Sequence, residues 1–258
     1  MDKTLSKQTK YLLTLKTNEK WCFMVIKVFL CLFLLVAPVP LKEEPVLAKI
    51  TQDCMVYSDK DLSVSLGTFY AGCFVEILQD YSQTVYKVAA LDSVLQGWVK
   101  GEFLEIPPDK PTDKSVLSPQ ILEDFIADYT SDTNYIILTD INRQQTHVFK
   151  FNGKKWRIIK SFDCSTGLNV SPTTRGIFKI TDRGPWFYSE RLGSGAKYWM
   201  RFNSQYLFHS TPMNKEGKVI ETEDVVGIKL SSGCVRLLLK DAKWLYDNVP
   251  DGSSVIIK

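Results

Sequence analysis

Two stretches carry residue types that can do nucleophilic chemistry together: Phe208-His209-Ser210 and Leu230-Ser231-Ser232-Gly233-Cys234-Val235-Arg236-Leu237. A thiol attacks as its thiolate, and an imidazole within reach can take the proton and hold the resulting charge. The chain has only two histidines, so Cys234 has two candidate bases. His147 alternates with Gln145 and Phe149 and reads as a strand imidazole. His209 ends the run Gln205-Tyr206-Leu207-Phe208 and precedes Ser210-Thr211-Pro212, where a strand enters a loop and catalytic groups concentrate. Gly233 lets the backbone approach closely and leaves amide N–H groups for an oxyanion. Arg236 either binds a substrate carboxylate or holds the cysteine loop through an ion pair. Cys164 has no basic partner nearby in sequence and reads as structural. The absence of a C-x-x-C pair argues against a thiol–disulfide oxidoreductase. No His/Cys spacing suits a metal, no glycine-rich loop suits a nucleotide, and neither metal nor cofactor is expected.

The order and spacing of these residues resemble the catalytic domain of the L,D-transpeptidases, the YkuD family. That family carries an upstream histidine, then Ser/Thr-His-Gly-Cys, often followed by an aliphatic residue and arginine. Ser165-Thr166-Gly167 and Ser171-Pro172-Thr173-Thr174-Arg175-Gly176-Ile177-Phe178-Lys179-Ile180 resemble its S-T-G and P-T-P-x-G-x-F segments. Asp241–Tyr246 and Val249–Val255 resemble its closing helix, turn and strand. One position departs: the histidine before Gly-Cys is Ser232 here. If that imidazole is needed, the enzyme is slow or inactive; if the position acts through its backbone, serine suffices.

The elements that must position these residues are mostly strands. Tyr135–Asp140 and Gln145–Phe151 read as paired strands, and Asn152-Gly153 turns into Trp156–Phe162. Gly176–Ile180 adds another, and one late helix is expected through Lys240 to Asn248. The polar stretch between His209 and Cys234, Met213–Lys218 and Glu221–Asp224, is either a lid or a solvated excursion.

Upstream, residues 48–106 hold short β-rich runs punctuated by Gly67, Gly72 and Asp80. The order Val56-Tyr57, Leu66-Gly67-Thr68, Gly72-Cys73 and Gly97-Trp98-Val99 is similar to bacterial SH3-like domains, which implies a wall- or peptide-binding accessory. Tyr57, Tyr70, Tyr81, Tyr86 and Trp98 are either groove or strand-pairing residues, the latter being the commoner use. Cys54 and Cys73 are either a disulfide or two free thiols. Residues 107–132 read as a proline- and charge-rich linker, followed by a short helix opened by Ser118-Pro119 and carrying Ile121, Leu122, Phe125 and Ile126 at helical spacing. At the start, six lysines face two acids before residue 30, ahead of the apolar run from Trp21 to Pro40. This predicts a targeting segment over residues 1–47, cleaved or kept as a membrane anchor, with the remainder outside the cytoplasm. The formal net charge is +3; since the tail holds an excess of four positive charges, the rest is near neutral and offers no nucleic-acid face.

The expected architecture is therefore mainly β: an N-terminal membrane or signal helix, a small SH3-like barrel, and a C-terminal β-sandwich with peripheral helices over residues 133–258. The resemblance implies that Cys234 attacks the third residue of a peptidoglycan stem tetrapeptide with His209 as base. Gly233, Ser232 and Ser210 would support the oxyanion and the histidine, and Ser231 would order the turn. Tyr198 and Trp199 would either wall the donor site or serve the core. Water as acceptor would make a carboxypeptidase, and failure of the chemistry would leave a wall-binding protein. Oligomeric state is not readable from these patterns.

Overall fold

The computed structural model describes residues 41, 44–190, 192–221 and 226–258. The expected targeting segment lies almost entirely outside the described residues, among which no helix is long and apolar enough to cross a membrane. Residues 41–258 make one compact unit. It begins with β1 (Leu47–Ile50), β2 (Cys54–Tyr57), β3 (Ser65–Phe69), β4 (Phe74–Tyr81), β5 (Val85–Ala90), β6 (Gln96–Lys100) and the short β7 (Leu104–Glu105). These form one sheet in the order β3-β2-β6-β5-β4-β1-β7, antiparallel throughout. Period-two alternation puts Val75 and Ile77, Tyr86 and Val88, and Val99 into a common core with Ala48, Ile50 and Val56. Cys54 is buried in that core, Cys73 is exposed, and both are free thiols.

The chain then crosses to the C-terminal half. The expected linker is a strap bound along its length. Pro107 and Pro108 carbonyls accept from Asn169 Nδ2, and the Asp109 carboxylate accepts from Asn169 N. Thr112 Oγ1 donates to Gly227 O, and Arg143 pairs with Asp113. Prolines cannot donate, so their carbonyls are what the strap offers a neighbour, and Asn169 takes two of them. Helix α1 (Pro119–Ile126) follows, with Ser118 Oγ accepting from Ile121 N and proline in the first turn, as the sequence predicts.

The C-terminal half comprises β8 (Tyr135–Asp140), β9 (Gln145–Phe151), β10 (Trp156–Asp163), β11 (Gly176–Lys179), β12 (Asp182–Ser189), β13 (Ser194–Asn203), β14 (Tyr206–Ser210), β15 (Val235–Leu237), helix α2 (Leu239–Asn248) and β16 (Ser254–Ile257). One sheet runs β10-β9-β8-β16-β11 and the other β12-β13-β14-β15. They share a core: Ile137, Val148 and Val255 from the first meet Met200, Phe208 and Val235 from the second, with Ala242 and Leu245 of α2. On the other face of the first sheet, Ile136, Leu138 and Phe149 pack on Leu122 and Ile126 of α1. Burial on both faces explains why β8 reads as a nearly continuous apolar run instead of an alternating one. Each such side chain contributes roughly 1.5–3 kcal/mol. The late helix starts one residue earlier than the sequence suggests, at Leu239, and ends before Pro250, which cannot continue it.

Candidate active site

Cys234 and His209 are brought together by strand register. β14 and β15 are parallel, with Phe208 opposite Val235, His209 opposite Arg236 and Ser210 opposite Leu237. Cys234 sits one residue before β15, so it lies two positions back from His209's partner and on the same face. With strands about 4.8 Å apart and about 3.3 Å per residue, that diagonal places the two Cα atoms roughly 8 Å apart, within side-chain reach. The opposite face of these strands, Tyr206, Phe208, Val235 and Leu237, fills the core. Alternation thus leaves Gln205, Leu207, His209, Cys234 and Arg236 along a cleft of about 760 Å³.

The imidazole is fixed from behind. His209 Nδ1 lies 2.6 Å from Ser210 O, so Nδ1–H donates there and Nε2 is the basic nitrogen. Ser210 Oγ is itself tied down, accepting from Lys197 N and donating to Thr211 O. Phe187 meets the ring edge-on at 5.7 Å between centroids and 83°. Burial holds the His209 pKa down at about 4, with Arg236 acting the same way against the Ser210 bond. Burial likewise pushes the Cys234 thiol up, opposed by the Leu207 backbone, Arg236 and Arg201. The resting pair is therefore a neutral thiol beside a neutral imidazole.

The turn carrying Cys234 is built for one conformation. Gly233 has φ +102°, and a Cβ there would stand 2.2 Å from Tyr206 Cε1. Ser231 Oγ accepts from Gly233 N and donates to Cys234 O, which is the ordering role the sequence suggests for Ser231. That bond commits the Gly233 amide, so an oxyanion would turn to other N–H groups of the loop. Ser232 is exposed beside the cleft. Behind the turn, Thr166 O accepts from both Leu230 N and Ser231 N, and Ser165 bridges to Arg236 through two backbone bonds. Gly167 leaves no room for a Cβ, which would meet Ser171 O at 2.1 Å. The Ser165-Thr166-Gly167 segment is thus the bed on which the cysteine loop rests.

Arg236 Nη1 pairs with Glu221 at 2.8 Å, favouring the ion-pair reading; the pair also anchors the polar stretch after His209. That stretch borders the cleft through Pro212, Ile220 and Glu221, while residues 222–225 are not described. Tyr198 and Trp199 do not line the cleft. Tyr198 packs against the core, on Tyr246 and under Lys243, while Trp199 is half-buried, donating Nε1–H to Trp186 O with the Arg201 guanidinium over its ring. Their places are filled by Phe187, Leu192 and Gly195 of the β12–β13 hairpin. His147 is buried between β8 and β10, bonded through Nδ1 to Ser161 Oγ at 2.9 Å, and Cys164 is fully buried with its thiol pushed up to about 12. The β4–β5 hairpin brings Asp80, Tyr81, Ser82 and Gln83 to the same cleft; of these only Tyr81 is among the groove candidates the sequence offers.

The C-terminal half of the chain is similar to known proteins. The chain is 38% identical over 125 residues to YciB of Bacillus subtilis (strain 168), an L,D-transpeptidase by name; the match spans 46% of this chain and 63% of that one. It is 28% identical over 102 residues to YkuD of Bacillus licheniformis, named likewise, spanning 39% and 54%. The chain thus covers less than two thirds of the length of either curated relative. Among solved structures, a Clostridium acetobutylicum protein described as a fused Zn-dependent amidase/peptidase with a peptidoglycan-binding domain is 29% identical, covering 54% of this chain and 59% of that one at a TM-score of 0.45. A Stackebrandtia nassauensis L,D-transpeptidase is 25% identical, covering 50% and 58% at 0.40. The segment that holds β8 to β16, residues 134–257, matches the YkuD family, the L,D-transpeptidase catalytic domain.

Proposed function

We propose that this chain is a peptidoglycan L,D-transpeptidase in which Cys234 is the nucleophile and His209 the general base. The observation that carries the reading is the Nδ1–H bond from His209 to Ser210 O, which leaves Nε2 basic on the cleft face that Cys234 shares. His209 Nε2 takes the thiol proton as Cys234 Sγ attacks the carbonyl carbon of the third residue of a stem tetrapeptide. The oxyanion is held by the N–H groups of Cys234 and Ser232, each such donor being worth roughly 3 kcal/mol. On collapse, the proton passes from His209 to the departing D-Ala nitrogen, leaving a thioester. A side-chain amine of a second stem then attacks, gives its proton to His209, and expels the thiolate, which is reprotonated. Water in place of the amine yields the carboxypeptidase outcome. In this scheme Ser232 acts through its backbone, consistent with its exposed side chain. The N-terminal segment exports the chain and sets it on the wall side of the membrane, and residues 48–106 form the SH3-like accessory.

The test uses wild type and Cys234→Ala with a disaccharide-tetrapeptide, followed by mass spectrometry. A cross-linked dimer with loss of D-Ala, absent in the variant, is the expected result. D-Ala loss without dimer selects the carboxypeptidase, and no product from folded wild type leaves a wall-binding protein.

A further inference from the structure

We propose that the tip of the β4–β5 hairpin, Tyr81 to Gln83, is part of the substrate site and holds the stem peptide bound at Cys234; this rests on the stem-peptide reading above. The hairpin belongs to the N-terminal sheet, yet it borders the cleft together with Cys234 and His209. Its approach is fixed by bonds set back from the cleft. Tyr86 Oη donates to Val170 O at 2.9 Å, and Thr174 Oγ1 donates to Leu78 O at 3.3 Å. Those contacts dock the sheet, and they leave the tip exposed: Tyr81 keeps 44% of its surface, and Ser82 and Gln83 are exposed as well.

The turn itself is unusual for its composition. Ser82 and Gln83, the central residues of the turn closed by Thr84 N donating to Tyr81 O, both occupy the left-handed region, at φ 52° and 59°, a pair of positions that turns normally fill with Asn-Gly. Asp80 holds it by accepting from Gln83 N at 3.2 Å. Glycine would fit this backbone with less strain, so the side chains are retained at a cost to the turn, at the edge of a catalytic cleft. What they offer is peptide chemistry. Gln83 Nε2 spends one donor on Ser171 Oγ at 3.4 Å, and its carboxamide keeps a second N–H and an oxygen, the donor–acceptor pair that matches a peptide group. Tyr81, with the Lys60 ammonium 5.0 Å from its ring centroid, adds a flat face for the aliphatic part of a stem residue.

The whole 258-residue chain supplies the test. Tyr81→Ala removes the aromatic face, and the double change Ser82→Asn with Gln83→Gly removes the Gln83 carboxamide while installing the preferred turn residues. On a Cys234→Ala background, calorimetric titration with the disaccharide-tetrapeptide should show Kd raised about ten-fold by either change. Alkylation of Cys234 by iodoacetamide, read at that peptide by mass spectrometry in proteins that keep the cysteine, should stay within about two-fold, because so small a reagent needs no hairpin. Tyr86→Phe loosens the docking without touching the cleft and should leave Kd within about two-fold. Hairpin variants that bind as tightly as the parent overturn the proposal. So does a Tyr86→Phe protein that weakens binding as much as they do, since the hairpin would then act through docking alone. Turnover by the Cys234 protein judges the reaction separately: binding that depends on the hairpin without any turnover sinks the transpeptidase and keeps the peptide contact. A parent that does not bind the tetrapeptide overturns both.

Discussion

Lowering the pH should unfold this chain through its two histidines before its carboxylates matter. His147 and His209 are both nearly inaccessible, and burial holds each pKa at about 4 against an ordinary 6.5. Above pH 6.5 both imidazoles are neutral folded or unfolded and contribute no pH dependence. Below it the unfolded chain takes up two protons that the folded chain refuses, so stability falls with pH until the folded state also protonates near pH 4. Each histidine contributes a slope of about 1.4 kcal/mol per pH unit and a total of roughly 3 kcal/mol. Together they remove about 6 kcal/mol, comparable with the whole stability of an ordinary domain. Urea unfolding at pH 7.5, 6.5, 5.5 and 4.5 measures the slope. His147→Leu, which replaces an imidazole whose Nε2 is buried without a partner, should halve the slope while moving stability at pH 7.5 by less than about 1 kcal/mol. Asp113 and Glu123 are held below the usual carboxylate range, so their losses in the same direction fall mainly below this window. Since the chain has only two histidines, their ring-proton resonances can be followed individually. Resonances that titrate near pH 6.5, or a slope unchanged by His147→Leu, would refute the reasoning.

Three further outcomes are expected. Gly233→Ala places a methyl against the fully buried Tyr206 ring at positive φ; stability should drop by roughly 2–4 kcal/mol in urea unfolding, with alkylation of Cys234 altered by displacement of its loop. Ser231→Ala removes both side-chain bonds that close the turn and should cost about 1–3 kcal/mol, while the Gly233 N–H becomes available to solvent and exchanges faster in amide hydrogen exchange. His209→Gln should lower kcat by about 10²–10⁴ with KM nearly unchanged; in wild type the acid limb of the rate profile should lie near pH 4–5, not near 6.5, because the base is neutral down to about pH 4.

The site was legible wherever local sequence dictates local backbone. Gly233 suits a tight turn and the chain holds few nucleophile–base combinations, but the resemblance to the YkuD pattern is what singles out Cys234 and His209 as candidates. Ser231, which the resemblance assigns to ordering the turn, closes it through two side-chain bonds. The signal fails where register decides. Tyr198 and Trp199 precede the histidine strand and look available to the cleft, yet β13 pairs Trp199 with Gly184 and Tyr198 turns to Tyr246 on α2. Which face an aromatic strand residue takes depends on the neighbouring strand, which one segment does not encode. The strap of residues 107–113 reads as a tether by composition, since proline and charge suit a linker. Its partners, Asn169 and Arg143, lie tens of residues away and give no sequence cue. At the β4–β5 tip the sequence offers Tyr81 as either a groove or a strand-pairing residue, while Ser82-Gln83 is an unremarkable pair until φ and the cleft are known.

A resting pair that is neutral on both sides constrains how the chemistry can run. With the thiol pushed up and the imidazole held near pKa 4, a preformed thiolate–imidazolium pair is disfavoured in the empty cleft. In the proposed reaction, proton transfer then accompanies Sγ–C bond formation, when charge moves onto the carbonyl oxygen and the loop amides can receive it. Reactivity toward small thiol reagents should consequently be low relative to reactivity toward a carbonyl substrate that fills the cleft. The same buried, neutral arrangement that restrains the free cysteine also makes the fold acid-sensitive, so the rate profile and the stability profile share one physical cause. A His209→Gln protein should separate them, losing turnover at every pH while regaining about half of the stability lost between pH 6.5 and 4.5.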